Sequence, residues 1–321
     1  MGKRNLSSRV NDSHYAPRYW LSWLVVGFSW LLAKLPGSLQ RSFSNGLARL
    51  LIKVRSSRIK TIRRNIELCF PDLSAQQQRE LAEKNIASTI LLLFDLLDLI
   101  WGSPANIQNR GECHGEEHLK KALDSGKPLI ILAGHFNGFA LGFARLAQLL
   151  PYHIVYRRMD NPVLEAQLYQ RITRKHQLTS IHRKEIPRML TQLKNKGVVA
   201  IVPDQDFGKK RSVFIPFFGI PTATITAIPQ YAEIAGANVL TMNTYREEGG
   251  RYRVELEPVL ENFPSGDDLA DTKRWSAWLE DSIRRQPEDY FWLHKRFKTR
   301  PIIGQLALPS IQNIHSNNRK Q

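Results

Sequence analysis

One histidine in this chain stands where a general base could act. His135 follows the apolar run Pro128–Leu132 and the pair Ala133-Gly134, a pattern that predicts a buried strand ending in a turn. An imidazole with its ordinary pKa of about 6.5 can accept a proton near neutral pH. Such a base usually needs a carboxylate that orients its ring and stabilises the imidazolium. We therefore interpret His135 as a candidate base that requires an acidic partner.

The acid is missing from the nearest suitable position in the sequence. Five residues after His135, a little over one helical turn further on, the chain carries Ala140, whose side chain cannot accept a hydrogen bond. The carboxylate must then come from another part of the fold. Four aspartates are candidates for this role: Asp204, Asp206, Asp95 and Asp98.

Five stretches of the chain together resemble one known family. They are Leu132–Ala140, Arg63–Pro71, Pro203–Gly208, Ser212–Gly219 and Tyr290–Pro301. From about Arg18 to Pro301, their order and separation are similar to those of the late acyltransferases of lipid A biosynthesis, which add secondary acyl chains to the lipopolysaccharide anchor. The family pattern has Glu or Asp where this chain has Ala140. That departure bears on the catalytic acid and not on the fold.

The resemblance implies both a fold and an activity. The fold is the α/β type of glycerolipid acyltransferases, a mixed sheet flanked by helices, with an N-terminal hydrophobic membrane anchor. The activity is O-acyl transfer from acyl carrier protein to a hydroxyacyl chain of a lipid A precursor, with His135 as the base. Asp204 is the first candidate for the acid, because the first Asp of Pro203–Asp206 is a functional position in the family. No metal or organic cofactor is expected, since the phosphopantetheine arm would arrive with the carrier protein.

Cationic side chains near these stretches are candidates for binding substrate phosphates. Guanidinium groups bind phosphate through two parallel hydrogen bonds and stay charged. The substrate-binding candidates are Arg157, Arg174, Arg183, Lys209 and Arg211. Arg157 and Arg174 are favoured as the nearest to the site, and an ordinary surface role is the alternative for each. The basic segment His294–Lys298 is expected to bind an acidic carrier protein or a lipid phosphate.

The charge balance limits the possible partners. The chain of 321 residues contains 46 Lys and Arg against 29 Asp and Glu, a net charge of +17, which favours anionic partners. No zinc-finger spacing or aromatic RNA-binding signature occurs, so we expect no nucleic acid. With the resemblance, the expected partners are acidic acyl carrier protein, a phosphorylated lipid A precursor and anionic inner-membrane lipid. Cys69 and Cys113 lack metal-type spacing, which favours a reducing compartment without a disulfide.

The apolar segment Tyr19–Leu35 is a candidate membrane anchor. Its length of about 17 residues is at the lower limit of the ~17–25 that span a bilayer. Its aromatic residues suit a membrane interface, and basic residues flank both ends, so orientation is left open. We expect an anchor over residues 18–38 that dips into or lies on the cytoplasmic leaflet of the bacterial inner membrane, and a marginal span is left open. The alternative is a core helix of a soluble domain. The basic amphipathic stretch Leu39–Ile66 fits an anionic membrane surface or a solvated helix face.

Strand-like and helix-like patterns alternate from Gly111 onward, which predicts an α/β domain with a parallel or mixed sheet. The predicted strands are Pro128–Ala133, His153–Tyr156, Val198–Val202, Val239–Tyr245 and Tyr252–Leu256. The predicted helices are Leu141–Leu150, Pro162–His176, Ile186–Lys196, Thr226–Ala235 and Leu269–Gln286. The apolar run Ile86–Ile100 predicts a further helix, and Ser74 with Gln77 predicts a capping box. The stretch Val213–Gly219 fits either a membrane-contacting loop or a buried hairpin edge.

The predicted organisation is one large domain with extensions. Residues 1–17 are expected to be a disordered polar N-terminus, 39–305 the acyltransferase domain and 306–321 a polar C-terminal tail. Two other functions remain compatible with the same fold. The first is transfer of an aminoacyl group to lipid A, and the second is a catalytically inactive homologue that binds lipid.

Overall fold

The structure is a computed structural model that describes residues 12–301. Most of the predicted polar N-terminus and all of the predicted tail over 306–321 lie outside the described residues. The helices are α1 (Trp20–Leu32), α2 (Gly37–Leu51), α3 (Ser57–Cys69), α4 (Ala75–Trp101), α5 (Pro104–Arg110), α6 (Glu116–Asp124), α7 (Phe139–Leu149), α8 (Pro162–Leu164), α9 (Gln170–Lys175), α10 (Ile186–Lys194), α11 (Ala227–Ala235) and α12 (Asp268–Arg285). The strands are β1 (Gly111–His114), β2 (Leu129–Ala133), β3 (His153–Tyr156), β4 (Thr179–His182), β5 (Val198–Ile201), β6 (Ser212–Phe217), β7 (Ile220–Ile225), β8 (Asn238–Arg246) and β9 (Tyr252–Val259).

Seven strands form one mixed sheet in the order β1-β9-β8-β2-β5-β3-β4. Every neighbouring pair is parallel except β8 with β9, which is antiparallel. Strands β6 and β7 form a separate antiparallel hairpin. The expected α/β fold with a mixed sheet flanked by helices is therefore confirmed.

The central strands explain why the sheet is covered on both faces. All five residues of β2 and all four of β5 are buried, and both strands are continuous apolar runs, as is usual for parallel strands packed between two layers of helices. Because β2 and β5 pair in parallel, from Leu129 opposite Val198 to Leu132 opposite Ile201, they end at the same edge. The loops that follow them must start side by side.

The predicted elements agree with the structure except at the edges of the sheet. All five predicted strands are present, but β1 and β4, the two outermost strands, were not predicted. Neither contains an apolar run, since β1 reads Gly-Glu-Cys-His and β4 reads Thr-Ser-Ile-His, so neither stands out from a loop. The helix predicted over 162–176 is α8 and α9 joined by the π-helical turn Glu165–Tyr169. Of the two alternatives for Val213–Gly219, the hairpin is formed.

Helix α4 supports the site from behind. The predicted capping box is present, since Ser74 Oγ accepts from the Gln77 N–H while the Gln77 side chain accepts from the Ser74 N–H. On the buried face of α4, almost three turns after its start, Asn85 Nδ2 donates to the carbonyls of Glu288 at 2.8 Å and Tyr290 at 2.6 Å. The helix thus fixes the backbone of a returning segment that lies beside the candidate base.

Helix α1 has the opposite polarity to a core helix. Its serines are buried: Ser22 Oγ accepts from Asn161 Nδ2 at 2.8 Å, and Ser29 Oγ accepts from Trp101 Nε1 at 3.0 Å. Its large apolar side chains are exposed, with Leu21 at 73% and Leu24 at 69%. Across residues 12–301, no helix has both the length and the apolar character needed to cross a membrane.

We predict that Asn85→Ala destabilises the fold. The substitution removes two hydrogen bonds to buried or partly buried carbonyls, and the expected loss is about 2 kcal/mol of the free energy of unfolding. Urea unfolding followed by circular dichroism measures it. The control is Asn106→Ala on the exposed side of α5, where a change within about 0.5 kcal/mol is expected. Equal midpoints for the two variants would show that α4 does not hold the segment through Asn85.

Candidate active site

His135 lies in a loop that the fold holds on both sides. The loop begins directly after β2 and passes close under α12, since a Cβ at Gly134 would lie 2.5 Å from Leu279 Cδ1 and would push that side chain aside. The His135 carbonyl accepts from the Phe291 N–H at 2.8 Å, and the Asn137 N–H donates to the Asp289 carbonyl at 2.6 Å. The position of the candidate base is therefore fixed by the segment around 289–291.

Asp204 reaches His135 from the neighbouring parallel strand. It follows β5 by three residues, and its Oδ1 accepts from His135 Nδ1. Its Oδ2 accepts from the backbone N–H of His135 at 2.9 Å and from the Tyr290 hydroxyl at 3.0 Å. The side chain of Asp204 has no exposed surface, whereas that of His135 is 18% exposed. The structure thus brings the two residues predicted as base and acid into direct contact.

The environment of Asp204 favours its ionised form. Burial would raise the pKa of this carboxyl, but the charge of His135 and the hydrogen bonds from its ring and backbone outweigh burial and hold the pKa well below its usual range. Burial and the adjacent carboxylate raise the pKa of Tyr290, which therefore remains a proton donor. With Nδ1 donating to Asp204, the lone pair of His135 lies on Nε2, the nitrogen that a general base would use.

Gln205 and His294 complete the surroundings of that nitrogen. Gln205 Nε2 lies 3.2 Å from His135 Nε2 and 2.8 Å from His294 Nε2, so one amide group can donate to both rings. The ring centroids of His135 and His294 are 5.1 Å apart. Burial, followed by the charge of His135, lowers the pKa of His294 to about 4. His294 is therefore neutral at pH 7, as an acceptor of the amide N–H must be.

The other three candidate acids have different partners. Asp206 accepts from the N–H and hydroxyl of Thr299 at 2.7 and 2.8 Å, which fastens the C-terminal segment. Asp98 accepts from Arg110 at 2.6 Å. Asp95 pairs with Arg110 and Arg246. These carboxylates serve the scaffold, and in the described part of the chain none of them bonds to His135.

Asp95 belongs to a buried charge network behind the loop that carries His135. Arg246 pairs with Asp95, donates from Nη2 to the Asn137 carbonyl at 3.1 Å, and donates from its backbone N–H to Asp289 at 2.7 Å. Ser88 on α4 also donates to Asp289, at 2.6 Å. Helix α4, strand β8 and the 289–291 segment are joined in this way around the loop that carries the base.

Two of the predicted phosphate ligands lie on the edge of the sheet that carries the site. Arg157 directly follows β3 and Arg183 directly follows β4, and β2, β5, β3 and β4 are consecutive parallel neighbours. Adjacent strands are about 4.8 Å apart, so these arginines lie one and two strands beyond Asp204. Arg157 is exposed and pairs with Asp160 at 3.4 Å. Their position is compatible with binding an anionic group beside the pair His135 and Asp204, which we call the dyad.

The remaining three cations are exposed. Arg174 lies in α9, and Lys209 and Arg211 lie in the short turn before β6. Within residues 12–301, no hydrogen bond or ion pair joins any of the five predicted cations to His135 or Asp204. A cleft of about 430 Å³ at the amino ends of β3 and β5 lies at the opposite end of the sheet from His135. In the same described range, no cluster of three His, Cys, Asp or Glu side chains could hold a metal ion.

Sequence reasoning placed three residues of the site nowhere near the base and acid: Gln205 and Tyr290 had no predicted role, and His294 was predicted only as part of a basic binding segment. Gln205, Tyr290 and His294 all fall within stretches that resemble the family, but their side chains meet His135 and Asp204 only through the fold. The available signal was weak. A tyrosine and a histidine four residues apart in a loop rich in aromatic residues have many other uses.

The geometry is that of an α/β protein with a histidine–carboxylate pair at the carboxyl edge of its sheet. Such a pair can act as a general base that takes a proton from a hydroxyl group. The profile of the family described as bacterial lipid A biosynthesis acyltransferase matches residues 9–299. The lipid A biosynthesis lauroyltransferase of Escherichia coli (strain K12) is 33% identical over 290 residues, 89% of this chain and 94% of the relative. The palmitoleoyltransferase of the same organism is 30% identical over 298 residues, 91% and 95% of the two chains. Its lipid A biosynthesis myristoyltransferase is 23% identical over 309 residues, 92% and 95%.

The chain therefore belongs to the bacterial lipid A biosynthesis acyltransferase family, and it is an acyltransferase. The family expected from the five sequence stretches is confirmed.

We predict that His294 makes stability depend on pH between about 6.5 and 4. Its pKa is lowered from 6.5 to about 4 in the folded chain, so the unfolded chain binds more protons in this window and stability falls as the pH drops through it. In His294→Gln that contribution is absent. The urea midpoints of the two proteins, measured from pH 7 to pH 4, should therefore converge or cross as the pH falls. A constant difference across the window would contradict the lowered pKa.

Proposed function

We propose that this acyltransferase moves a fatty acyl group from the thioester of acyl carrier protein to a hydroxyl on a hydroxyacyl chain of a phosphorylated lipid A precursor. The reaction would belong to lipopolysaccharide biosynthesis at the cytoplasmic face of the bacterial inner membrane. The observation that carries this proposal is the direct contact between His135 and the buried Asp204. The relatives that match over most of their length, named for lauroyl, palmitoleoyl and myristoyl transfer, support the choice of substrates.

The dyad suits the proton transfers of this reaction. His135 Nε2 would accept the proton of the acceptor hydroxyl while its oxygen attacks the thioester carbonyl carbon. The carbon–sulfur bond then breaks, and the leaving thiolate takes the proton from the imidazolium, which yields an ester and a free thiol. Asp204, kept ionised by its environment, stabilises the imidazolium between the two steps. Gln205 must give up its hydrogen bond to Nε2 when the hydroxyl arrives.

The cations along the sheet edge would hold the acceptor. Arg157 follows β3, the neighbour of β5, and Arg183 follows β4, one strand further on, and a guanidinium binds phosphate through two parallel hydrogen bonds. A phosphate placed there lies beside the dyad without occupying it. Arg174, Lys209 and Arg211, which are all exposed, would add to the positive potential of the chain.

The outward face of α1 would bind the membrane. Its apolar side chains Leu21, Leu24 and Phe28 are exposed while its serines are buried, an arrangement that water disfavours and that the acyl region of a leaflet can accept. Exposed Leu39 and Phe43 on α2 extend the apolar surface. Cations on α2 would contact anionic headgroups.

We predict that the chain is active without an acid at position 140. Nδ1 of His135 already donates to Asp204, so Ala140→Glu should change kcat little. Asp204→Asn and His135→Ala should lower it by as much as ~10⁴-fold, the loss seen when a triad acid is neutralised. The assay follows transfer from lauroyl-loaded acyl carrier protein to a tetra-acylated, phosphorylated lipid A precursor, with the product identified by mass spectrometry.

The other outcomes of that assay separate the alternatives. Turnover only in Ala140→Glu would remove Asp204 from the role of acid. A product with an aminoacyl increment would replace the fatty acyl donor. Binding of the precursor with no turnover by the parent chain or Ala140→Glu would favour a lipid-binding protein that has lost catalysis.

We predict that the apolar face of α1 controls binding to vesicles. Replacing Leu24 and Phe28 together by Ser should weaken partition onto vesicles of phosphatidylethanolamine and phosphatidylglycerol by about tenfold or more, since burying one such side chain contributes roughly 1.5–3 kcal/mol. Flotation measures the bound fraction. The control is Ile234→Ser, which removes an exposed apolar side chain from α11. The anchor proposal fails if both proteins float like the parent chain.

A further inference from the structure

A second cleft, of about 310 Å³, lies between α3 and the C-terminal segment. Its lining includes five cationic side chains and no carboxylate: Lys60, Arg64, Lys295, Lys298 and Arg300. The other residues of the lining are Ser57, Thr61, Asn65, Leu68 and Phe297. A cleft with this lining has a positive potential and selects an anionic ligand.

The positive charge of the cleft is largely uncompensated. Arg64 forms an exposed ion pair with Glu67 at 3.5 Å, and Arg300 lies over the Phe297 ring at 5.9 Å. Within the described range 12–301, no ion pair engages Lys60, Lys295 or Lys298, although all three are exposed. Like charges gathered without counter-charges repel one another, so binding an anionic partner relieves this repulsion.

The cleft is joined to the active site through its own wall. Asn65, which lines it, donates from Nδ2 to the carbonyls of Trp292 at 2.8 Å and His294 at 2.7 Å. His294 in turn faces His135, with ring centroids 5.1 Å apart, and Lys295 is the next residue along the chain. A ligand held on these lysines therefore lies next to the segment that forms one side of the dyad.

The chemistry of the lining favours a protein over a membrane surface. A membrane-binding face combines cations with exposed apolar side chains, and here those side chains lie on α1 and α2. The apolar members of the cleft do not protrude, since Phe297 is buried and Leu68 is partly buried. Lysines on flexible stems suit an acidic protein surface that must bind and leave at every turnover.

We propose that this cleft is the docking surface for the acidic carrier protein that delivers the acyl thioester. This assignment rests on the proposed function, because it takes the donor to be an acyl carrier protein. Docking here would place the thioester arm beside His294 and Gln205. The acceptor's phosphates would use the separate set formed by Arg157 and Arg183, which shares no residue with the cleft.

The test is a charge reversal of Lys60 and Lys298 together to Glu. The KM for lauroyl-loaded acyl carrier protein should rise about tenfold or more, with kcat at saturation little changed, because charge complementarity acts on encounter and binding. The KM for lauroyl pantetheine thioester, which lacks the carrier, should not change. The Kd for carrier protein without an acyl group, measured by fluorescence anisotropy, should rise in parallel. Raising ionic strength from about 50 to about 200 mM should weaken binding to the parent chain more than to the variant.

The control is Lys120→Glu, a charge reversal at an exposed site on α6 outside the cleft. Its KM for loaded carrier protein and its Kd for unloaded carrier protein should match those of the parent chain. An unchanged carrier Kd in the double variant overturns the assignment. A rise in the KM for the lipid acceptor alone would instead give the cleft to the acceptor's phosphates, and release from anionic vesicles alone would give it to the membrane. If the parent chain binds the carrier through these lysines but transfers no acyl group, the docking surface stands and the proposed function fails.

Discussion

The site depends on one buried carboxylate that is kept ionised. Asp204 has no exposed side-chain surface, yet it accepts from the ring of His135, from the His135 backbone N–H and from the Tyr290 hydroxyl. Burying a charge without such partners would cost several kcal/mol, so the three donors and the carboxylate require one another. The same bonds fix the tautomer and orientation of the imidazole. The position of the loop, the charge of the acid and the orientation of the ring are therefore consequences of one arrangement.

That arrangement is possible because of the sheet. Strands β2 and β5 are parallel neighbours, so the residues that follow them meet at one edge of the sheet. His135 and Asp204 are therefore in contact although they lie far apart in the sequence. The 289–291 segment then closes over the loop, and Arg246, Asp95 and Asp289 hold it in place from behind. An acid in the first turn of α7 would approach the same histidine from its own chain segment. Here Asp204, which follows the neighbouring strand, makes that contact instead. The His135 ring therefore stays oriented although position 140 is an alanine.

Part of this could be predicted from sequence and part could not. The apolar runs of β2 and β5 are long enough to identify, and strand ends followed by His and Asp point to chemistry there. Gln205, Tyr290 and His294 were beyond prediction, because their roles depend on side chains that meet across about 70 to 90 residues of chain. The edge strands β1 and β4 were not predicted for another reason. Both are short and consist mostly of polar or small residues, so neither contains an apolar run.

Gln205 links the resting site to its working state. Its amide lies between the Nε2 atoms of His135 and His294, and it can donate to both only while both rings are neutral there. In the proposed reaction, His135 Nε2 takes up the proton of the acceptor hydroxyl and can then no longer accept a hydrogen bond, so the amide would turn away from it. His294 resists protonation, with its pKa lowered to about 4, and so remains an acceptor that can hold the released amide. His294 would thus keep its hydrogen bond with Gln205 while His135 accepts the proton of the hydroxyl. Because His294 resists protonation, the proton would stay on His135.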